Sequence, residues 1–131
     1  MYILDTNICI YIINHKPKQV FERFQQLNLG DLAISSITAC ELAYGVEKSG
    51  SQKNITALQK FLAPLTILPL GEHVVWEYAS IRAELEKKGQ VIGSFLDMLI
   101  AAHARQEKAI LVTNNIKEFE RVPHLTLENW V

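Results

Sequence analysis

The chain has 131 residues, a formal net charge of −1 and apolar side chains at 49% of positions. That length suits one core and a single domain, residues 1–131, and the composition is too apolar for a disordered chain. The near-neutral charge excludes a globally basic nucleic-acid binder, so any RNA contact must come from a local basic surface.

Tyr2-Ile3-Leu4 predicts a short buried strand, halted by Asp5-Thr6-Asn7. A helix capped by Thr6 or Asn7 then runs to about Asn14. Pro17 starts a second helix with Val20, Phe21, Phe24 and Leu27 on its apolar stripe. Leu29-Gly30-Asp31 is a turn, and Leu32-Ala33-Ile34 a second strand ending in Ser35-Ser36. A third helix spans about Thr38 to Lys48, broken by Ser49-Gly50-Ser51, and a fourth covers 52–63. Thr66-Ile67-Leu68 is strand-like. A long helix from about Glu72 to Lys88 ends at Gly89. Phe95 to Glu107 is a very apolar helix after a loop. Ala109 to Thr113 holds the clearest strand, Asn114-Asn115 starts a short helix with Phe119, and Leu125-Thr126-Leu127 is a last strand. Helices alternate with continuously apolar strands, which predicts an α/β layered fold with a mainly parallel central sheet.

Cys9 and Cys40 each lie in an apolar segment and read as small buried residues, not as a disulfide or zinc site. A reducing, cytoplasmic setting is the natural expectation. The run Ile8 to Ile13 is too short for a signal peptide or a membrane helix, so no membrane association is expected.

In an open parallel sheet, sites form at the carboxyl ends of the strands. The polar residues there are Asp5 after the first strand, Ser35, Ser36 and then Glu41 after the second, and Thr113, Asn114 and Asn115 after the Ile110–Val112 strand. Asp97 is the strongest single clue. Its helical neighbours Ile100, Ala101 and Ala104 form an apolar stripe, and a carboxylate directed there needs a cation, a hydrogen-bonding cap or a proton. Bland readings stand beside these. Asp5 fits a helix cap, Thr38-Ala39-Cys40-Glu41 matches a capping box, Asn115 to Glu118 matches another, and Asp97 suits a helix N-terminus. Convergence favours a site, because several acids at one edge repel one another unless a divalent cation joins them. Carboxylate, amide and hydroxyl donors suit Mg²⁺ or Mn²⁺. The four histidines show no zinc spacing, and His103 reads as a packed or hydrogen-bonded residue. An acidic Mg²⁺ site points to phosphoryl chemistry.

The segments Leu4-Asp5-Thr6-Asn7, Ser35 to Gly45, Asp97 to Ala104, and Leu111 to Asn115 with Glu118-Phe119 resemble, in that order, the PIN-domain nucleases. More narrowly they resemble the VapC toxins of bacterial type II toxin–antitoxin pairs. The resemblance implies a three-layer fold and a Mg²⁺- or Mn²⁺-dependent endoribonuclease, with Asp5, Glu41 and Asp97 catalytic and Asp5 and Asp97 on the metal. Thr6, Asn7, Ser36, Thr113, Asn115 and Glu118 would support them. It further implies a homodimer and a VapB-type antitoxin that covers the acidic pocket and alone contacts operator DNA. The expected substrate is RNA, in the closest-looking members the initiator tRNA anticodon loop. Arg82, Lys87, Lys88, Arg105 and Lys117 are candidate RNA contacts, with Lys108 and Arg121 beside them; ordinary solvated helix faces are the competing reading.

Two departures from the family pattern stand out. Asn115 occupies the place of a fourth acid, for which Glu118 is a candidate substitute. Gly93-Ser94-Phe95-Leu96-Asp97 has one residue more than the usual Gly-x-x-Asp. Other classes fit less well. A phosphatase wants a second Asp where Asn7 stands, a receiver domain wants a Lys that Thr113-Asn114-Asn115 lacks, and a non-catalytic PIN-like module has no need of three retained acids.

Overall fold

The computed structural model describes all of residues 1–131. Five strands alternate with seven helices: β1 (Tyr2–Leu4), α1 (Thr6–Asn14), α2 (Lys18–Gln25), β2 (Leu32–Ser35), α3 (Ser36–Ser49), α4 (Gln52–Leu62), β3 (Thr66–Leu68), α5 (Glu72–Lys87), α6 (Phe95–Gln106), β4 (Ile110–Val112), α7 (Ile116–Phe119) and β5 (Thr126–Glu128). The Leu29–Asp31 turn is a single 3-10 turn. Every strand pair is parallel, and the sheet order is β3-β2-β1-β4-β5. The expected mainly parallel sheet is therefore wholly parallel.

Strand side chains alternate between the two faces. Ile3, Ala33 and Leu111 join one apolar cluster with Ile81 and Leu85 of α5 and Ile100, Ala101 and Ala104 of α6. Leu4, Leu32, Ile34 and Val112 join the other with Ile8 and Ile12 of α1, Leu42 of α3 and Leu58 of α4. Helices cover both faces, which is why the strands read as unbroken apolar runs. Each fully buried Leu or Ile contributes roughly 1.5–3 kcal/mol by leaving water.

The chain leaves β1 for β2 and β3 on one side, then returns through α5 and α6 to β4 on the other. The direction of winding reverses at β1. Such a switch point opens a crevice at the strand carboxyl ends, and β1 and β4 are its walls. No helix of the chain is long and apolar enough to cross a membrane.

Candidate active site

Asp5 is placed by the sheet itself. Its backbone N–H continues the β1–β4 ladder by donating to the Val112 carbonyl at 2.9 Å. Asp5, not Thr6 or Asn7, is the N-cap of α1, and its Oδ1 accepts from the Thr6 N–H at 2.8 Å. Its Oδ2 accepts from the Thr113 hydroxyl at 2.8 Å, and that hydroxyl accepts from the Asn115 N–H at 3.0 Å. Cap and site are thus one residue. Burial pushes the Asp5 carboxyl above the usual range and the charge of Glu41 adds to this, against the hydrogen bonds from Thr113 and Thr6.

Glu41 is not part of a capping box. The third helix begins at Ser36, two residues earlier than the sequence suggests, because Ser35 is the cap and its Oγ accepts from the Ile37 N–H at 3.1 Å. Thr38 lies inside the first turn, buried, with no hydrogen-bond partner for its hydroxyl. Glu41 instead accepts from the Thr6 hydroxyl at 2.9 Å, which ties α3 to the start of α1.

Asp97 occupies the third position of α6. Ser94 caps that helix by accepting from the Asp97 N–H at 3.1 Å. The additional residue after Gly93 is therefore taken up before the helix, and Asp97 stays in its first turn. The sequence reading missed Ser94, although Ser-x-x-Asp is itself a helix-start spacing. Asp97 is half-buried. Its carboxyl is raised by desolvation first, then by the charge of Asp5; a hydrogen bond from Ser94 opposes and the charge of Glu118 adds. Asn115 has the N-cap position of α7 but makes no capping bond; its amide donates to Glu118 Oε2 at 2.9 Å. Gly93, which the sequence marked only by its spacing to Asp97, is where the α5–α6 loop meets this acid: a Cβ there would lie 3.0 Å from Glu118 Oε1.

The remaining candidates divide. Asn7 is exposed and Ser36 half-buried, and neither enters this hydrogen-bonded set. Arg82 is held by Glu86 and Tyr78, both at 2.8 Å, and Lys88 by Glu84 at 3.2 Å. Arg105 is bound to Glu77 at 2.6 Å and to the Pro123 carbonyl at 3.0 Å. Lys87 and Lys117 are in no ion pair. His103 is buried with Nδ1 2.8 Å from Ser35 Oγ, as a hydrogen-bonded core residue, and burial lowers its pKa. Cys9 is buried as expected, but Cys40 is exposed, since it faces away from Thr38 and Leu42 on α3.

No three His, Cys, Asp or Glu side chains converge as a finished metal cage. Three of the acids instead take donors from the protein: Thr6 and Thr113 for Asp5, Thr6 for Glu41, Asn115 for Glu118. None of Asp5, Glu41, Asp97 and Glu118 is in an ion pair with a Lys or Arg. Hard oxygen donors that repel one another and lack a protein cation fit a divalent Mg²⁺ or Mn²⁺ ion.

Residues 2–125 match the PIN domain family. The chain is 50% identical over 131 residues to a ribonuclease VapC2 of Haemophilus influenzae, covering 99% of this chain and 98% of that protein. The chain belongs to the VapC ribonucleases of the PIN-domain family. It is also 45% identical over 130 residues to the tRNA(fMet)-specific endonuclease VapC of Shigella flexneri, covering 98% of this chain and 97% of that one. Among solved structures, VapBC2 from Rickettsia felis bound to a promoter DNA fragment contains a chain with TM-score 0.90 and 47% identity, covering 99% of this chain and 98% of that one. The PIN fold expected from the sequence is thereby found in both the structure and its relatives.

Proposed function

We propose that this chain is the endoribonuclease toxin of a VapBC toxin–antitoxin pair, a Mg²⁺-dependent hydrolase of RNA phosphodiesters. The observation that carries the site assignment is the set of acids that bias one another without any protein cation paired to them. Beyond the desolvation that is the first cause for both, the charge of Glu41 raises the Asp5 carboxyl, and the charges of Asp5 and Glu118 raise that of Asp97, with no Lys or Arg paired to any of them. Asp5 and Asp97 would hold the metal, with Glu41 and Glu118 reaching it directly or through water. When bound, Mg²⁺ or Mn²⁺ supplies a Lewis acid that lowers the pKa of an attacking water and offsets charge on the leaving oxygen.

The chain's own residues supply orientation. Thr113 and the Thr6 N–H fix both oxygens of Asp5, and the Thr6 hydroxyl holds Glu41 beside it. Ser94 sets the first turn of α6 and so the direction of Asp97. Asn115, uncharged where a fourth acid is expected, positions Glu118 through its amide. Initiator tRNA is the proposed substrate, in line with the name of the Shigella flexneri relative, and its cleavage would block translation. A VapB-type antitoxin is the proposed partner and the element that contacts operator DNA, with the toxin a cytoplasmic homodimer.

Asp97→Asn is expected to abolish Mg²⁺-dependent RNA cleavage while the fold is kept, as read by circular dichroism. Sequencing RNA 5′ ends after brief induction should show new ends with the unaltered chain and none with the variant. Equal cleavage by both would sink the mechanism.

A further inference from the structure

The strand register pairs Ile3 of β1 with Ala33 of β2 on one side and with Leu111 of β4 on the other. Two residues on, that row runs Ser35, Asp5, Thr113 along the carboxyl ends of the three strands, and all three side chains are buried. Residues two apart on a strand share a face. The row therefore lies on the face where Ile3, Ala33 and Leu111 meet α5 and α6. Thr113 serves Asp5 from one side. Ser35, on the other side, is bound instead to His103 of α6, with 2.8 Å between Oγ and Nδ1.

This hydrogen bond has a definite polarity. Ser35 Oγ already accepts from the Ile37 N–H at 3.1 Å as the cap of α3. A serine hydroxyl has one proton to give, and His103 is the one other partner of this buried oxygen. Oγ and Nδ1 are both satisfied when the hydroxyl donates to Nδ1 and the ring is neutral, with its proton on Nε2. Burial favours that neutral ring. A single serine thereby joins the helix that carries Asp97 to the start of the helix that carries Glu41.

No other side-chain hydrogen bond of α6 reaches a strand. Arg105 binds Glu77 and the Pro123 carbonyl, both outside the sheet. The remaining buried face of α6 is apolar, with Ile100, Ala101 and Ala104 in the shared cluster. Apolar contact is non-directional, and alanines offer little to interlock. One residue of helix rise is about 1.5 Å, whereas groups of a metal or catalytic site must be held within about 0.5 Å.

We infer that His103 is a positioning residue: through Ser35 it fixes α6, and so Asp97, against Asp5, and through the same serine it fixes the start of α3, and so Glu41. This rests on the metal-holding role proposed above for these acids. His103 is six residues from Asp97, about 9 Å along the helix, and hydrogen-bonds to none of the acids.

The test compares the unaltered chain with three variants. His103→Leu loses the acceptor. His103→Asn restores one, because its Oδ1 is as many bonds from Cα as Nδ1. Val20→Ala on α2 truncates a buried side chain in the other apolar cluster. Mn²⁺ binding is read without RNA by electron paramagnetic resonance. Mg²⁺-dependent cleavage of an RNA stem-loop gives kcat and KM, well below each thermal midpoint. His103→Leu should weaken Mn²⁺ binding and lower kcat, each roughly tenfold or more, as when an outer support of a metal site is lost, with KM little changed. His103→Asn should return most of both. Val20→Ala should lower the thermal midpoint and leave Mn²⁺ binding and kcat as they are. Unaltered Mn²⁺ binding and kcat in His103→Leu would overturn the inference, as would losses that Val20→Ala reproduces or that His103→Asn does not recover. Should His103→Leu fail to fold, Ser35→Ala makes the comparison from the other end of the hydrogen bond, with weakened Mn²⁺ binding expected and unaltered binding overturning. Mn²⁺ binding that depends on His103 without RNA cleavage supports positioning and ends the ribonuclease function. Cleavage with Mn²⁺ binding and kcat indifferent to His103 ends the positioning role only, and an unaltered chain that neither binds Mn²⁺ nor cleaves overturns both.

Discussion

Asp5 is 6% exposed, yet each of its carboxylate oxygens has a donor, Thr6 N–H on one side and the Thr113 hydroxyl on the other. Thr113 is fully buried, so Thr113→Val keeps the shape but removes the donor to Asp5 and, with it, the acceptor of the Asn115 N–H. The carboxylate left short of a partner should lower unfolding free energy by about 1–3 kcal/mol. If Asp5 holds the metal as proposed, loss of the group that orients it should also reduce RNA cleavage roughly 10–100-fold. Denaturant unfolding and cleavage assays check both, Thr113→Ser should recover most of each, and a Thr113→Val chain that cuts at full rate would exclude the orienting role. Asp5 was legible in the sequence because a polar residue directly after a buried strand is a strong local signal. Glu41 was named beside a competing capping box, because Thr38-Ala39-Cys40-Glu41 spells one; the cap is Ser35, and the partner of Glu41, Thr6, is set by tertiary contact. Cys40 misled for a related reason: apolar neighbours in sequence say nothing about helix phase when 38 and 42 face the core and 40 does not.

At the scale of elements, the strands and the long helices could be located from runs and stripes; α4 and α6, capped by Ser51 and Ser94, start where the pattern put them, whereas α3 starts two residues early because Ser35 caps it. The α5–α6 connection shows what such a shift means for the site. One more residue than the family spacing would rotate Asp97 by about 100° if it entered the helix. Ser94 keeps it outside, and Gly93 lets the loop pass close to Glu118. Gly93→Ala is a sensitive test of that close approach. Gly93 carries no positive-φ requirement, so the backbone tolerates the change. The new methyl would press on the free end of the Glu118 side chain at 3.0 Å, and a flexible carboxylate can swing away. Stability should change by less than about 1 kcal/mol, within the usual range for a surface substitution. If Glu118 serves the site, cleavage should fall several-fold and the Mg²⁺ concentration for half-maximal rate should rise. Unchanged Mg²⁺ dependence would remove Glu118 from the metal environment.

For the whole molecule, the order β3-β2-β1-β4-β5 is what brings Asp5 and Thr113 together across 108 residues of chain. The sequence showed that both follow strands; that those strands are neighbours is a property of the assembled sheet. The same assembly gathers like charges and so stores a pH dependence. Desolvation, and after it the charge of Glu41 on Asp5 and of Asp5 and Glu118 on Asp97, raises both carboxyls in the folded chain above the ordinary value of 3.8. The folded state therefore keeps protons that the unfolded chain has already lost. Below the ordinary range both states are protonated and there is no penalty. As pH rises from about 4, stability falls, and the full penalty is present once pH exceeds the raised folded values. A divalent cation held there, as proposed, would bind the ionised form, so its stabilising effect would have the opposite trend. At about 100 times its dissociation constant it adds about 2.7 kcal/mol, worth several degrees in thermal midpoint at pH 7 and little near pH 4. Asp97→Asn removes one of the repelling charges. In chelator at pH 7 it should melt higher than the unaltered chain, with the gap closing toward pH 4, and Mg²⁺ should raise its midpoint less. Scanning calorimetry at the two pH values, with Mg²⁺ and with chelator, measures all four conditions. A Mg²⁺ shift equal at pH 4 and pH 7 would show that the ion binds elsewhere than at these carboxylates.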